Sequence, residues 1–331
     1  MSLVLHKPTY PCKPISSVKA LAAMLNATEE EVLKIADAAN KMYRTVKLKP
    51  GSTRQVFDAT RPLKAIHARI KTIVLSRVSF PSYLTGSLKG RDHKKNADLH
   101  INKAVIISED VKGFFGSVSD NLVYDVWLHF FGFSPSVARI LTQLTTKDGA
   151  LPQGGICSSY LANLALWRDE PLLHAKLAAR GITYSRYVDD MCMSSSVILS
   201  TDSKKAIIKD VYGMLRRNGL YARRDKHEIT PATQRMIATK LVINQKSALP
   251  APRRSNARTA VFQAELAISK NLSFIDAKTS LDKASNTVGQ LNRFHPNLAD
   301  PLKKRIKQAR AQLANSSENK PNDLSSTLLS E

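Results

Sequence analysis

The stretch that decides the fold is residues 182–198, ITYSRYVDDMCMSSSVI. Residues 182–187 and 191–198 predict two strands, because both are short runs rich in apolar, aromatic and β-branched residues. Asp189 and Asp190 then occupy the turn of a β-hairpin. Adjacent side chains of a regular strand point to opposite faces, so an Asp-Asp pair can converge on one site only where the chain turns. A solvated turn would contain the same two residues.

A third acid lies 79 residues upstream of this pair (189 − 110). Residues 104–108 are a compact, largely β-branched run that predicts a buried strand ending at Glu109 and Asp110. Neighbouring strands are about 4.8 Å apart, so Asp110 can meet the other two acids at one edge of a sheet. Crowded carboxylates repel one another unless cations neutralise them, and hard oxygen ligands favour Mg²⁺. Two Mg²⁺ ions about 4 Å apart can catalyse an in-line phosphoryl displacement, which predicts a nucleotidyl transferase.

The charge of the chain is concentrated on either side of these acids. The 331 residues have a formal net charge of +23, from 50 Lys and Arg against 27 Asp and Glu. Residues 41–95 contain 14 basic and 2 acidic residues, and residues 240–310 contain 14 and 4. Two basic segments around an acidic centre suit a polyanion held on both sides of a reaction site. A solvated basic surface, or an RNA-binding protein without enzymatic activity, would show the same charge.

Composition excludes several other classes. Hydrophobic residues make up 43% of the chain and charged residues 23%, which is typical of a globular protein and excludes wholesale disorder. No stretch approaches about 18 uninterrupted apolar residues, and the N-terminal region lacks the apolar core of a signal peptide. We therefore expect neither a membrane span nor secretion. Cys12, Cys157 and Cys192 lack CxxC spacing, so neither a disulfide framework nor a zinc site is indicated, and a cytoplasmic location is favoured.

The remaining pattern predicts helices interspersed with short strands. Thr28 and Glu31 have the spacing of a capping box. A basic hairpin is expected around Lys49-Pro50-Gly51. Helices are predicted at residues 18–25, 28–42, 62–78, 119–131, 154–179 and 202–218, a strand-like run at 235–244, and helical periodicity from about residue 250 almost to residue 313. Residues 315–331 are rich in Ser and Asn without periodicity, which predicts a disordered tail.

Three motifs resemble those of reverse transcriptases. Residues 187–190, YVDD, match the Tyr-x-Asp-Asp box of that family. Residues 110–115, DVKGFF, are similar to its first carboxylate motif, and residues 151–154, LPQG, match its Leu-Pro-Gln-Gly motif literally. All three occur in the family's order and in predicted strand, loop and hairpin contexts.

Among reverse transcriptases, the chain resembles the bacterial retron enzymes. Residues 96–100, NADLH, match the Asn-Ala-x-x-His box characteristic of retrons. The basic hairpin followed by Pro62-Leu63-Lys64 also fits the retron pattern. The retron Val-Thr-Gly motif is present only as residues 238–240, ATK, without its glycine, and Val188 replaces the commoner alanine. The likeness runs from about residue 21 to about residue 310.

This resemblance implies an α+β, right-hand polymerase with fingers, a palm of antiparallel sheet plus helices, and a helical thumb. N-terminal helices would occupy residues 1–42. The fingers would comprise residues 43–103 and 132–152, and the palm residues 104–131 and 153–246. The thumb would comprise residues 247–314, followed by the tail at 315–331.

The resemblance also implies roles for individual residues. Asp110, Asp189 and Asp190 would be catalytic and would hold two Mg²⁺ ions together with the backbone carbonyl of Val111. Phe115 would lie beneath the sugar and select deoxynucleotides, although a core aromatic is equally expected there. The other nucleotide-binding candidates are Gln153, Arg54, Lys47 and Lys226, for which a polar loop residue, contacts to the RNA backbone and a surface lysine are the alternatives.

The predicted partners are nucleic acids. Asn96 and His100 share one helical face and are predicted to bind structured RNA, although a lone histidine is more often a structural residue. Arg253, Arg254 and Arg258 would lie on the thumb and follow the backbone of the duplex. The implied partners are a cognate structured non-coding RNA, its DNA product, deoxynucleoside triphosphates and an effector protein encoded nearby.

The function that the resemblance implies is reverse transcription of this RNA into a branched RNA–DNA molecule, msDNA, in anti-phage defence. One alternative is another bacterial defence reverse transcriptase that makes non-retron or untemplated DNA. The other is a catalytically idle RNA chaperone that uses only the basic segments.

Overall fold

The computed structural model describes residues 5–48, 51, 54–270 and 272–318. They divide into two compact units. Unit 1 runs to Thr239 and includes Ile243–Gln245, and unit 2 comprises Lys240–Val242 and the residues from Lys246 onward.

Unit 1 contains helices and short strands. The helices are α1 (Val18–Leu25), α2 (Glu29–Ala38), α3 (Leu63–Ile73), α4 (His93–Asp98), α5 (Phe114–Ser117), α6 (Asp120–Asp125), α7 (Pro135–Thr145), α8 (Ser158–Leu164), α9 (Glu170–Ala178) and α10 (Thr201–Arg217). The strands are β1 (Tyr43–Thr45), β2 (Phe57–Ala59), β3 (Val105–Asp110), β4 (Ile182–Tyr187), β5 (Asp190–Ser195), β6 (Glu228–Pro231) and β7 (Ile237–Ala238). Unit 2 contains β8 (Leu241–Val242), α11 (Ala251–Ser269), α12 (Phe274–Phe294) and α13 (Pro296–Glu318).

The central feature of unit 1 is an antiparallel sheet with strand order β4-β5-β3-β6. β3 pairs with β5 so that Asp110 lies opposite Asp190. β4 pairs with β5 so that Tyr187 lies opposite Asp190. The buried, β-branched run in β3 occupies the centre of the sheet, as its composition predicts. The α+β fold class expected from the sequence is confirmed.

The two faces of this sheet are covered differently. Alternation along the paired strands places Glu109 and Met191 on one face, and Asp110 and Asp190 on the other. We call these the helical face and the carboxylate face. Helix α10 packs on the helical face, where the hydroxyl of Tyr212 donates a hydrogen bond of 3.2 Å to Glu109.

The carboxylate face also carries a buried polar cluster. The Asn96 amide donates 2.8 Å hydrogen bonds to the hydroxyls of Thr85 and Ser185. The two ring nitrogens of His100 lie 2.7 Å from the hydroxyls of Ser194 and Ser185. Both Asn96 and His100 are 0% exposed. The prediction that they bind RNA is therefore wrong, because they are enclosed by the protein and join the segment around α4 to strands β4 and β5.

The N-terminal region agrees closely with the sequence. Thr28 and Glu31 form both hydrogen bonds of the predicted capping box at the start of α2. The basic hairpin is present as β1 paired antiparallel with β2. Residues 49 and 50 of its predicted turn, and residues 52 and 53 that follow it, lie outside the described residues.

Three segments differ from the predicted pattern. The helix expected at residues 154–179 is divided into α8 and α9, because Pro171 lacks the N–H of an interior helical residue and suits a first turn. The strand-like run at 235–244 contains two separate two-residue strands, β7 and β8. Helix α13 continues to Glu318, so the first four residues of the predicted tail, 315–318, are helical. The remainder of that tail lies outside the described residues.

Unit 2 is built from α11, α12 and α13, which pack through small and apolar side chains such as Ala264, Ala284 and Leu291. Arg305 on α13 donates two hydrogen bonds, of 2.8 and 2.5 Å, to Glu265 on α11. Throughout the described part of the chain, helices fall short of the length and apolar content that a membrane crossing needs.

We predict that His100 makes the stability of the protein fall on acidification. Burial, with a smaller effect of Lys103, lowers the pKa of His100 from its ordinary value to about 3. Between about pH 6.5 and that value the unfolded chain binds a proton that the folded chain excludes, so the free energy of unfolding decreases as the pH falls, by at most about 1.4 kcal/mol per pH unit. Denaturant unfolding of the wild type and of His100→Gln over this range measures the slope.

Other histidines contribute to the same trend, because burial also lowers the pKa of the buried His67 and, in part, of the half-buried His174 and His295. The contribution of His100 is therefore the difference between the slopes of the two proteins. Equal slopes would show that His100 is not held neutral in the folded state.

Candidate active site

The turn between β4 and β5 brings the three predicted acids together. Val188, the first residue of the turn, has a φ of 61°, in the left-handed region that tight hairpin turns require. The N–H of Val111 donates a 3.0 Å hydrogen bond to the carbonyl oxygen of Asp189. Asp110 and Asp190 are paired across the adjacent strands. The three acids thus share one edge of the sheet, although Asp110 is far from the other two in sequence.

A neighbouring segment holds the turn in place. The N–H of Arg186 donates to the carbonyl of Tyr83, and the N–H of Thr85 donates to the carbonyl of Arg186, each at 2.9 Å. Gly86 follows directly, and a Cβ atom there would lie 2.3 Å from the backbone nitrogen of Val188. Only glycine allows this close approach of the two backbones.

A buried ion pair lies beneath the turn. Arg186 and Glu170 are 0% and 1% exposed, with Nε–Oε1 and Nη2–Oε2 distances of 2.6 and 2.7 Å. The same guanidinium donates to the carbonyl oxygens of Val188, at 3.0 Å, and Asn163, at 3.1 Å. The hydroxyl of Tyr184 donates to Glu170 at 2.7 Å. Arg186 therefore connects the turn to α8 and α9 through one charge-assisted network.

This network was missed by sequence reasoning, although a signal for it existed. Arg186 lies two residues after Tyr184 in β4, so the two side chains point to the same face of the strand. A charged residue on a buried face requires a partner of opposite charge. Nothing in the sequence singles out Glu170 as that partner.

The electrostatics of the carboxylate edge fit a site for cations. Burial raises the pKa of Asp189, and the neighbouring carboxylate of Asp110 raises it further. Lys226 and Arg54 act in the opposite direction on the same group. The ammonium of Lys226 lies 2.6 Å from Oδ2 of Asp110, which is buried, whereas Lys226 is 45% exposed.

The donor set suits a hard divalent ion. It consists of carboxylate oxygens of Asp110, Asp189 and Asp190, with the Val111 carbonyl beside them, and such oxygens are the ligands that Mg²⁺ prefers. Among the residues that the structure describes, however, no three acidic, Cys or His side chains already converge closely enough to hold an ion. The Lys226 ammonium lies against Oδ2 of Asp110, so coordination through that oxygen would require this lysine to move away.

The candidate nucleotide-binding residues other than Lys226 differ in how deeply they are buried. Phe115 is half-buried and follows the buried Phe114 at the start of α5. Lys47 and Arg54 are exposed on the basic hairpin. Gln153 is half-buried, and its carbonyl accepts a 2.8 Å hydrogen bond from the N–H of Phe57 in β2.

Gly154 fixes how the Leu-Pro-Gln-Gly loop meets this hairpin. Its φ is 99°, and a Cβ atom there would lie 2.6 Å from the carbonyl oxygen of Phe57. A side chain at residue 154 would therefore separate the loop from β2.

The predicted RNA-binding arginines are in unit 2. Arg253 and Arg258 are exposed and Arg254 is half-buried, all in the N-terminal part of α11. Arg254 and Arg258 line a cleft of about 450 Å³ whose other walls include Leu291, Leu298 and Leu302.

We predict that Arg186→Met lowers the free energy of unfolding by about 3 to 5 kcal/mol, because it leaves the Glu170 carboxylate buried without its partner. The double variant Glu170→Met/Arg186→Met removes both charges and should recover most of this loss. Urea denaturation of the three proteins measures the effect.

A matched control is Arg217→Met, which removes a 2.7 Å ion pair with Asp169 whose arginine is 60% exposed. Exposed pairs contribute about 0 to 1 kcal/mol, so this variant should remain close to the wild type. A loss for Arg186→Met no larger than for Arg217→Met would contradict the role given to the buried pair.

Comparisons with known proteins identify the family. The model of the reverse transcriptase (RNA-dependent DNA polymerase) family matches residues 41–247, more than half of the chain. The chain is 35% identical over 228 residues to the retron Se72 reverse transcriptase of Salmonella heidelberg, covering 68% of this chain and 60% of that protein. It is 29% identical over 216 residues to the retron Ec86 reverse transcriptase of Escherichia coli, covering 64% and 65%.

It is also 29% identical over 198 residues to the retron Ec48 reverse transcriptase of Escherichia coli, covering 56% of this chain and 48% of that protein. The chain thus spans about half to two thirds of the length of these relatives. A solved telomerase from Candida albicans, in complex with a fragment of telomeric RNA, aligns with a TM-score of 0.37 and 9% identity over 62% of this chain and 40% of that chain, which is too slight a likeness to support a conclusion. The family match contains the whole sheet on which the three acids meet. This chain belongs to the reverse transcriptase family, and the relatives that it resembles are retron reverse transcriptases.

Proposed function

We propose that this protein is an RNA-directed DNA polymerase. The observation that carries the proposal is the pairing of Asp110 with Asp190, with Asp189 at the adjoining turn, in a chain of the reverse transcriptase family. A bare carboxylate cluster would be electrostatically unfavourable, because burial and then the neighbouring Asp110 carboxylate raise the pKa of Asp189. A site that binds cations and triphosphates offsets this repulsion.

We assign the metal site to Asp110, Asp189, Asp190 and the carbonyl of Val111, and the metal to two Mg²⁺ ions. Bound there, they would promote ionisation of the primer hydroxyl and stabilise charge on the triphosphate. Lys226, in contact with Asp110, is suitably placed to give a proton to the departing pyrophosphate. Its exposed position allows it to leave Asp110.

The surrounding residues would bind and orient the nucleotide. Arg54 already acts electrostatically on Asp189, which supports a role for it, with Lys47, in binding the triphosphate. Phe115 would lie under the sugar, where a bulky ring excludes a 2′-hydroxyl. Gln153 would contact the nucleotide or template.

We divide the chain accordingly. The fingers would comprise residues 43–103 and 132–152, the palm residues 104–131 and 153–246, and the thumb residues 247–314. The palm assignment is supported by the sheet and its acids. The thumb assignment is supported by the basic helix α11, on which Arg253, Arg254 and Arg258 would bind the backbone of the nucleic acid.

The substrate that we propose is the structured non-coding RNA of a retron, copied into a branched RNA–DNA molecule, msDNA. The similarity to three retron reverse transcriptases supports this choice over other bacterial defence enzymes. We further propose that the protein acts in the cytoplasm, in anti-phage defence, with an effector protein encoded nearby.

We predict that Asp189→Asn combined with Asp190→Asn abolishes primer extension, and that Asp110→Asn alone does so as well, because each change removes charge that the cations need. Binding of RNA should persist. Primer extension with labelled deoxynucleotides measures the first effect, and a filter-binding assay with the same RNA measures the second. Asp202→Asn, a change of an exposed acid in the first turn of α10, is the matched control and should extend normally.

Loss of folding is not expected to explain the result, since replacing a carboxylate that is repelled by its neighbours relieves that repulsion. Extension that survives the double change would overturn the assignment of the catalytic site.

We also predict that nucleic acid purified with the protein is a branched RNA–DNA molecule of defined sequence. Treatment with RNase and debranching enzyme, followed by sequencing, identifies the branch. Long DNA of low complexity would contradict the retron assignment and favour a defence reverse transcriptase that extends DNA without ordinary templating. RNA alone, without DNA, would favour the chaperone.

A further inference from the structure

A basic cleft adjoins the carboxylate edge on the side away from the hairpin turn. Its lining comprises Lys112, Gly113, Tyr221, Ala222, Arg223, Arg224 and Asp225, and its volume is about 720 Å³. β5 and the turn residues lie on one side of Asp110, whereas this segment lies on the other. The cleft therefore uses residues that the catalytic site does not.

Backbone hydrogen bonds fix the position of the cleft relative to Asp110. The N–H of Lys112 donates to the carbonyl of Tyr221 at 2.9 Å, and the N–H of Arg223 donates to the carbonyl of Asp110 at 2.7 Å. These bonds flank the antiparallel bridge between Val111 and Ala222. In this register the side chains of Lys112 and Tyr221 lie on the same face as that of Asp110, because they alternate with those of the bridged residues Val111 and Ala222.

The side chains in the cleft combine an aromatic ring with free positive charge. Tyr221 is 62% exposed, although a tyrosine ring is largely apolar. Arg223 is paired with Asp225 at 3.1 Å. The Lys112 ammonium and the Arg224 guanidinium, in contrast, form neither an ion pair nor a hydrogen bond with any other residue that the structure describes, although the backbone carbonyl of Lys112 accepts a 2.9 Å hydrogen bond from Ser117.

We propose that this cleft binds one strand of nucleic acid next to the catalytic centre, with a base stacked on Tyr221 and phosphates bound by Lys112 and Arg224. An exposed aromatic ring beside unpaired cations is the combination by which single strands are bound without regard to sequence. A free nucleotide has the same base and phosphate chemistry. The open, exposed ring favours a strand, because among the lining residues there is no buried polar group to select a single small molecule. The proposal refines the polymerase function, since it names a contact to the strand being copied or extended.

The test is fluorescence anisotropy of a labelled oligouridylate of about 12 nucleotides, within the range of known single-strand sites, titrated with the full chain in EDTA so that no chemistry occurs. Tyr221→Ala should weaken binding by about five- to a hundredfold, the usual effect of removing a stacking ring. Tyr221→Phe keeps the ring and should bind like the wild type.

The charged residues have their own measurement. Repeating the titration between about 50 and 200 mM salt gives a slope of log affinity against log salt, whose magnitude decreases by about 0.7 for each phosphate that the protein no longer binds. Lys112→Ala and Arg224→Ala should each reduce the magnitude of the slope by that amount. Tyr221→Ala should lower the affinity without changing the slope. Lys209→Ala, which removes an exposed lysine from α10 on the helical face, is the matched control.

Wild-type binding and slope in all three cleft variants would overturn the proposal. If Tyr221→Ala leaves oligouridylate binding unchanged and instead raises the dTTP concentration for half-maximal primer extension, the occupant is a free nucleotide and the single-strand assignment is wrong. The polymerase function is tested separately by the aspartate variants. If the aspartate variants lose primer extension and Tyr221→Ala binds the strand normally, only the proposal for this cleft is rejected.

Discussion

The antiparallel pairing of β3 with β5 holds like charges together. Asp110 and Asp190 are neighbours because backbone hydrogen bonds set the register of two strands, while the carboxylates themselves repel. Burial raises the pKa of the neighbouring Asp189, and the carboxylate of Asp110 raises it further. Backbone and core interactions elsewhere must therefore offset the cost of placing these carboxylates together. Such a site is suited to binding cations and polyphosphates rather than to stabilising the fold.

Buried side chains around the β4–β5 turn provide the stabilising interactions that offset this cost. Arg186 neutralises Glu170 and at the same time binds the carbonyl of Val188, so one buried guanidinium links the β4–β5 turn to α8 and α9. Gly86 contributes in another way, by letting a separate segment lie against the turn. On the carboxylate face, Asn96 and His100 satisfy strand hydroxyls that would otherwise be buried without partners. The Asn-Ala-x-x-His box is thus a structural support of the central sheet.

Positive charge around the acids has two arrangements. Lys226 contacts Asp110 directly, and Arg54 lowers the pKa of Asp189 from the basic hairpin. Lys112 and Arg224 instead face a cleft beside the acids without carboxylate partners in the described structure. Cations of the first kind reduce repulsion within the site, whereas those of the second kind remain available for phosphates. Positive charge thus both neutralises the acids and lines the neighbouring cleft.

The sequence by itself determined the elements and the chemistry of the site. Period-two runs, the Thr28 capping box and the YVDD turn are local signals, and local backbone preferences are readable from neighbouring residues. They sufficed to predict a sheet edge with Asp110, Asp189 and Asp190, and the reverse transcriptase family. The tertiary structure alone decided whether a polar side chain is exposed or enclosed. The sequence predicts that His100 binds RNA, but its side chain is buried. The sequence predicts no role for Arg186, whose guanidinium binds the β4–β5 turn. Ser194, the partner of His100, is distant in sequence, and nothing local distinguishes Glu170, the partner of Arg186, from the other acids. Both partners are therefore identified only by the packing of the folded chain.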